Sequence, residues 1–237
     1  MIIENLIQGK FVDRPNRFTV LFEIEQGINE MAHLRDPGRL KELLIPEVQL
    51  LLRKAIPNPK RKTQYDVIAV FNQGIWVLIN SGFHSDIAAD LIESGVIKEI
   101  SNYSIERREY TYGKSRIDFL LTNNEMGKML LEVKGCTLVE DGLAKFPDAP
   151  TVRGKKHLDE LAHSRDDGFE SAVLFLIIRD DALEFTPNTV MDPDFSATLK
   201  NAKEKGVYVI VYSFKNIYKN DSLYIKPFKR INLRIEV

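Results

Sequence analysis

The sequence predicts an α/β protein with an all-β amino-terminal module: a small β-barrel of OB type, then an α/β domain built on a mixed sheet. Three observations carry this reading. Short β-type runs crowd the first third of the chain, a helical stripe first appears near residue 85, and two unbroken apolar strands lie beyond it with a helical segment between them. With 237 residues, 44% hydrophobic and 28% charged, the chain is long enough for one large domain or two ordinary ones.

Residues 17–80 contain R-F-T-V-L-F-E-I-E, V-Q-L-L-L-R, Y-D-V-I-A-V-F and I-W-V-L-I-N. These runs are rich in β-branched and aromatic residues, and turn signals separate them at Gln26-Gly27, Pro57-Asn58-Pro59 and Gln73-Gly74. About five strands in roughly eighty residues suit a Greek-key barrel, a shape that often presents a groove to nucleic acid. Between strands, A-H-L-R-D-P-G-R-L-K-E-L-L makes a turn at Asp36-Pro37-Gly38, and Arg39 to Leu44 are expected to start a short helix. His33 and Arg35 read as turn residues.

From Ser85 the period changes. S-D-I-A-A-D-L-I-E-S-G sets Ile87, Ala88, Leu91 and Ile92 on one helical stripe that Gly95 ends. A boundary near residue 83 follows, giving an expected barrel over 1–83 and an α/β domain over 84–237. In the second part, strands are expected over residues 103–112, 116–122, 128–134, 172–178 and 207–212, and helices over 151–164 and 194–205. Continuous apolar strands linked by helices are buried on both faces, which calls for at least one parallel pair.

Several function classes drop out. The longest apolar runs are far shorter than the ~20 residues a membrane helix needs, and M-I-I-E-N-L lacks the basic-then-apolar plan of a signal peptide, so a cytoplasmic protein with no membrane partner is expected. Cys136 is the single cysteine, and no Cys/His spacing suggests zinc. No Walker loop or dinucleotide fingerprint is present. A net charge of −1 argues against indiscriminate phosphate affinity and leaves the matter to local placement. Basic residues cluster at Arg53, Lys54, Lys60, Arg61 and Lys62, at Arg107, Arg108, Lys114 and Arg116, and at Arg153, Lys155, Lys156 and His157. Any one of these clusters taken alone reads as ordinary solvated surface.

The chemistry concentrates in R-I-D-F-L-L-T-N-N-E-M-G-K-M-L-L-E-V-K-G, residues 116–135. Side chains alternate along a strand, so Glu132 and Lys134 share a face with Leu130, and Asp118 shares one with Arg116 and Leu120. If the strands pair around N-N-E-M-G with Thr122 opposite Lys128, Asp118 falls opposite Glu132. Adjacent carboxylates repel unless a cation lies between them, which suits a hard divalent ion such as Mg²⁺ or Mn²⁺. Such a site fits phosphodiester hydrolysis, with Lys134 orienting a water or stabilising the developing oxyanion. The plain alternative is a surface salt bridge from Glu132 to Lys134 with Asp118 solvated. On the following helix, Arg153, His157, Glu160 and Ser164 share one face and Leu158, Leu161 and Ala162 another, so the basic residues are expected to point at phosphate while His157 binds phosphate or transfers protons.

The runs R-I-D-F, L-E-V-K-G-C-T-L and F-P-D-A-P-T-V-R-G-K-K-H-L-D-E-L, with A-H-L-R-D-P-G-R-L-K-E-L-L and K-R-K-T-Q-Y-D earlier, resemble the sugar fermentation stimulation protein family over nearly the whole chain. The resemblance implies an OB-fold joined to a PD-(D/E)xK nuclease-like domain, with DNA as the partner. It also implies that Asp118, Glu132 and Lys134 match the nuclease core, with Asp118 and Glu132 as metal ligands and Glu109 as a further acid. The motif's proline is absent, since Ile117 precedes Asp118, and Pro147-Asp148 lies after the E-x-K. Nucleic-acid contacts are then expected from Arg35, Arg39, Lys60, Arg61, Lys62, Arg116, Arg153, Lys155, Lys156 and His157. The rival reading is a binding or regulatory protein that keeps the nuclease fold without cutting. A sugar-metabolism enzyme finds no sugar-phosphate motif in the chain.

Overall fold

The computed structural model describes residues 1–235. The chain forms two compact units, and they are not two contiguous blocks. The first unit is Met1–Phe83 together with Ile178–Asp180 and Phe214–Phe228; the second begins at His84 and takes the remainder. The single boundary expected at residue 83 therefore marks one of five places where the chain passes between units.

The first unit contains β1 (Ile2–Ile3), β2 (Leu6–Asn16), β3 (Thr19–Glu23), β4 (Asn29–His33), β5 (Gln49–Lys54), β6 (Tyr65–Asn72) and β7 (Ile75–Leu78). Their order is β4-β3-β2-β5-β6-β7, and a parallel pairing of β4 with β6 closes five of them into an OB-like barrel. Closure removes the open sheet edge. β2 was not expected, because L-I-Q-G-K-F-V-D-R-P-N mixes charges with a proline. It tolerates them by shifting register twice against β3, between Phe11 and Asp13 and between Asp13 and Asn16. β4 was also unexpected, since N-E-M-A-H carries little β propensity; pairing on two sides holds it in place. The helix expected at Arg39 to Leu44 is a turn. Leu40 has φ +51°, a left-handed conformation that ends any helix there, and Leu40, Leu43 and Leu44 drop separately into the barrel core beside Phe22, Leu34 and Val67.

The second unit contains α1 (His84–Glu93), β8 (Tyr103–Tyr112), β9 (Ser115–Asn123), β10 (Lys128–Cys136), β11 (Val139–Glu140), β12 (Leu143–Phe146), α2 (Val152–Ser164), β13 (Glu170–Ile177), β14 (Glu184–Pro187), α3 (Pro193–Glu204), β15 (Tyr208–Lys219), β16 (Ser222–Arg230) and β17 (Asn232–Leu233). Residues 214–219 of β15 and 222–228 of β16 count with the first unit, where β1 pairs with β16. Within the second unit β10, β13 and β15 run parallel, and β9 and β8 continue antiparallel beyond β10, which makes the sheet mixed. The apolar runs of β13 and β15 lie in its centre, as their lack of alternation requires. A smaller sheet runs β11-β12-β14-β17.

Two helices of the second unit have well-made starts. Thr151 caps α2 by accepting from Gly154 N at 3.0 Å, and Asp192 caps α3 by accepting from Phe195 N at 2.9 Å. The second carboxylate oxygen of Asp192 also accepts from Thr151 N at 2.8 Å, which ties the two helix starts together. Leu158 and Leu161 of α2 are fully buried against Ile117, Leu130 and Phe175, each contributing about 1.5–3 kcal/mol by leaving water. That face fixes which way the rest of α2 looks.

Candidate active site

The hairpin that builds the site closes on Asn123, whose side-chain oxygen accepts from Glu125 N at 3.0 Å and Gly127 N at 2.8 Å. From there the register is Lys128↔Thr122, Met129↔Leu121, Leu130↔Leu120 and Leu131↔Phe119. The next pair in that series would be Glu132 with Asp118, and it does not form. Instead Asp118 Oδ2 accepts the Val133 N–H at 2.7 Å, while β10 stays paired with β13 as far as Cys136↔Ile177. β9 thus parts from β10 at the two acids. A carboxylate takes the place of a ladder bond, and the opening lies where the charges are.

Glu132 is 3% exposed, so its charge needs partners. Its Oε1 accepts from Lys134 Nζ at 2.6 Å and from Nδ1 of the buried His157. Its Oε2 is buried with no partner. Burial alone pushes this carboxyl up, but the His157 hydrogen bond and the Lys134 charge outweigh it and hold it below the ordinary value. Asp118 goes the other way. Burial first, then the charge of Glu132, raise it to about 6, against the opposing pull of the Val133 N–H and Lys134; Glu109 adds to the rise.

His157 was expected to face phosphate from the exposed side of α2. It is buried instead, because Gly154, Leu158 and Leu161 share the face that α2 packs on the sheet. Arg153 Nε donates to His157 Nε2 at 3.4 Å. A guanidinium cannot accept, so Nε2 is the acceptor and Nδ1 carries the proton that Glu132 receives.

Glu109 lies on β8 at the register position facing Asp118, between the pairs Arg108↔Phe119 and Tyr110↔Ile117, and makes no ladder pair itself. Its φ is +57°, and its carboxylate is ion-paired with Arg116. The other expected nucleic-acid residues divide. Lys155 lies 3.6 Å from Asp194, and Lys156 donates to the Lys114 carbonyl at 2.8 Å. In the barrel unit, Lys60 and Lys62 are exposed, Arg39 is exposed beside the Asp36 turn, and Arg61 is bound by Asp66 at 2.7 and 3.3 Å. Arg35 lines a hollow described below.

Sequence reasoning missed His84. It opens α1, and its ring fills the space over Gly135, where any Cβ would overlap it. His84 is half-buried, and desolvation lowers its pKa to about 4, so the imidazole over Gly135 is neutral. It precedes Gly135 by 51 positions in the sequence, and no spacing rule connects them.

The residues fit a divalent cation. Among the described residues Glu132 Oε2 is a buried oxygen without a donor, and Asp118 is raised to about 6 by burial and then by the Glu132 charge, which a cation would offset. Among the described residues no group of three His, Cys, Asp or Glu side chains converges as a cage, so backbone carbonyls and water would complete the shell. Also among the described residues, no helix is long and apolar enough to cross a membrane.

The fold and the site define a class, in which an OB-type barrel is joined to a nuclease-like α/β unit with an acid, an acid and a lysine at a parted hairpin. The chain belongs to the sugar fermentation stimulation protein family. Residues 12–79 match the family's SfsA N-terminal OB domain and residues 82–219 its Sugar fermentation stimulation protein RE domain. The Sugar fermentation stimulation protein homolog of Methanothermobacter thermautotrophicus is 51% identical over 234 residues, covering 99% of this chain and 96% of that protein. That of Methanosphaera stadtmanae is 45% identical over 238 residues, covering 100% and 98%. A solved structure of Pyrococcus furiosus SfsA in complex with Ca²⁺ superposes with a TM-score of 0.87 at 27% identity, covering 99% of this chain and 98% of that one.

Proposed function

We propose that this protein binds DNA and hydrolyses its phosphodiester backbone at Asp118, Glu132 and Lys134, with Mg²⁺ or Mn²⁺ held by the two acids. The observation that carries the reading is the pairing of a buried, partnerless Glu132 Oε2 with an Asp118 that burial and like charge raise to about 6. A folded chain does not keep this arrangement for stability, because a buried oxygen without a donor costs about 1–3 kcal/mol. The Ca²⁺ complex of the Pyrococcus relative supports a cation in this family.

A bound divalent ion would activate water and offset charge on the reacting phosphate. Asp118 and Glu132 would each give an oxygen to it. Lys134, already directed by Glu132, would place its ammonium where the attacking water or the developing oxyanion needs a positive charge. His157 is a positioning residue: it fixes which Glu132 oxygen is free, as outer-shell partners of metal ligands do. Glu109 stands opposite Asp118 as a further acid once Arg116 turns to phosphate. Lys60, Lys62, Arg153, Lys155 and Lys156 supply backbone charge.

The binding-only reading has one observation in its favour. Glu132 Oε1 is already satisfied by the Lys134 ammonium and by a hydrogen bond from His157 without any metal. Incubating the pure protein with end-labelled single- and double-stranded DNA and RNA, with Mg²⁺, Mn²⁺ or a chelator, separates the two. Cleavage that needs the metal and is lost in Asp118→Asn supports the nuclease; tight binding with no cleavage under any metal leaves the binding-only protein.

A further inference from the structure

We infer that a hollow in the barrel unit is a binding site for a phosphomonoester dianion, and the inference is independent of the nuclease reading. The hollow has a volume of about 250 Å³, below the usual range for drug-sized ligands. Barrel closure builds it. The pairs His33↔Asp66 and Arg53↔Asp66 set three side chains in one row across β4, β6 and β5. Arg35 follows two residues after His33, and the segment after β7 closes over it, with Ser81 N and Ser81 Oγ donating to the Arg35 carbonyl at 2.8 and 2.6 Å. Asn80, 4% exposed, braces that segment by donating to the Val67 carbonyl at 2.9 Å and accepting from Gly82 N at 3.0 Å.

The charges in the hollow do not cancel. Asp66 is the cross-strand neighbour of Arg53 and the obvious carboxylate to neutralise it. Both Asp66 oxygens are taken by Arg61, at 2.7 and 3.3 Å, and Arg61 is further tied to the Thr63 carbonyl at 3.1 Å. Among the described residues Arg53 has no carboxylate; its guanidinium lies 5.3 Å from the centroid of the Phe83 ring. Arg35 has none either, and lies across Gly82 so closely that a Cβ there would meet its Nη1 at 2.7 Å. Three guanidinium groups against one carboxylate leave an excess of two positive charges. His33 Nδ1 lies 3.1 Å from the Phe18 carbonyl and donates to it, since a carbonyl only accepts.

A phosphomonoester carries about −1.5 to −2 at pH 7, matching that excess, whereas a phosphodiester of a strand interior carries a single charge. Guanidinium forks, one beside the Phe83 ring and one against Gly82, suit phosphate oxygens. The Phe83 ring of the hollow already has the Arg53 guanidinium beside it. Room for the rest of the ligand lies next door. A hollow of about 650 Å³, lined by Lys54, Ile56 and Pro57 among others, shares Arg53, Arg61 and Asp66 as its wall. The phosphate could belong to the end of a nucleic-acid strand or to a free small phosphate compound, and the chemistry recognised is the same.

Thermal unfolding of the full chain in inorganic phosphate, against sodium chloride of equal ionic strength, tests the site directly. Millimolar phosphate is expected to raise the midpoint of the wild type and of Asp118→Asn. Arg53→Met and Arg35→Met are expected to weaken phosphate about tenfold or more. Arg53→Lys, which keeps the charge on a half-buried aliphatic stem, is expected to weaken it as well, because an ammonium does not fork. A wild-type shift no larger than that of chloride, or an equal phosphate response in folded Arg53→Met and Arg53→Lys, overturns the site. Fluorescence polarisation in chelator, with one oligonucleotide carrying a terminal phosphate or a terminal hydroxyl, then assigns the source. Preference for the phosphorylated end, lost in Arg53→Met, marks a strand end; equal binding of both oligonucleotides alongside the phosphate response marks a free phosphate compound.

Discussion

Arg153 and Glu132 meet through one imidazole: the guanidinium donates to Nε2 of His157 at 3.4 Å, and Nδ1–H of the same ring goes to Glu132 Oε1. The chain of donors runs from the first turn of α2 into the centre of β10 and leaves Glu132 Oε2 as the open oxygen. His157→Phe should therefore lower Mn²⁺ affinity by about 10- to 100-fold, the usual effect of removing an outer-shell partner, while DNA affinity in chelator stays at the wild-type level. Calorimetry with Mn²⁺ and polarisation with labelled DNA read the two separately. Loss of DNA affinity without loss of metal affinity would return His157 to the role of a phosphate contact.

Asp118 gives a pH dependence with an unusual sign. Its carboxyl titrates near 6 in the folded protein against an ordinary value of 3.8, so between those values the folded chain holds a proton that the unfolded chain has released. Stability then falls as pH rises through this window, by up to about 3 kcal/mol. Glu132, held below its ordinary value, acts oppositely, adding stability that is lost as pH falls. Denaturant unfolding of metal-free wild type and Asp118→Asn isolates the first effect. The variant should be more stable at pH 7 to 8 by about 1–3 kcal/mol, and the gain should vanish by about pH 4; a gain that is constant with pH would mean that Asp118 titrates normally.

Lys134→Met separates metal binding from chemistry. The substitution keeps the stem and removes the positive charge beside Glu132, so the acids should bind Mn²⁺ as well as or better than wild type. Cleavage should drop by at least about a hundredfold, the scale of losing one preorganised electrostatic donor. Single-turnover cleavage and Mn²⁺ calorimetry on the same preparation decide it. Cleavage retained in full would remove Lys134 from the chemistry.

Glu109 stands in a left-handed conformation that costs a side chain about 1–2 kcal/mol, at the register position facing Asp118. Its ion pair with Arg116 is largely exposed and returns little. Glu109→Gly should raise stability by about 1 kcal/mol and lower cleavage, a trade expected of strain kept for function. Thermal unfolding and cleavage rates measure the two sides; a variant that is less stable and fully active would make Glu109 a structural turn residue.

Much of the second unit was legible in the sequence because its signals are local and periodic. The stripe from Ile87 to Ile92 and the unbroken apolar runs of β13 and β15 all lie within one element's reach. The barrel was read less fully. β2 and β4 carry charged and weakly β-forming residues, and barrel closure, a long-range pairing, is what makes them strands. The same limit applies to the site. Alternation put Glu132 and Lys134 together, but the parting of β9 from β10 depends on a carboxylate displacing a ladder bond, and the burial of His157 depends on which face of α2 meets the sheet. His84 could not be found at all, since only the missing side chain of Gly135 makes room for it. Likewise the Arg53 guanidinium reads as one more surface charge until Arg61 is seen to occupy Asp66.

The bond from Val133 N–H to Asp118 Oδ2 gives the protein a built-in reporter. A backbone amide that donates to a carboxylate senses the ionisation of that group, because a charged acceptor binds the proton more strongly than a neutral one. The amide resonance of this one residue, followed in isotope-labelled protein, would register the Asp118 proton as pH passes through 6 and a cation as it arrives. The ionisation and metal loading of Asp118 would thus be visible in a single peak, without substrate and without any label placed in the site.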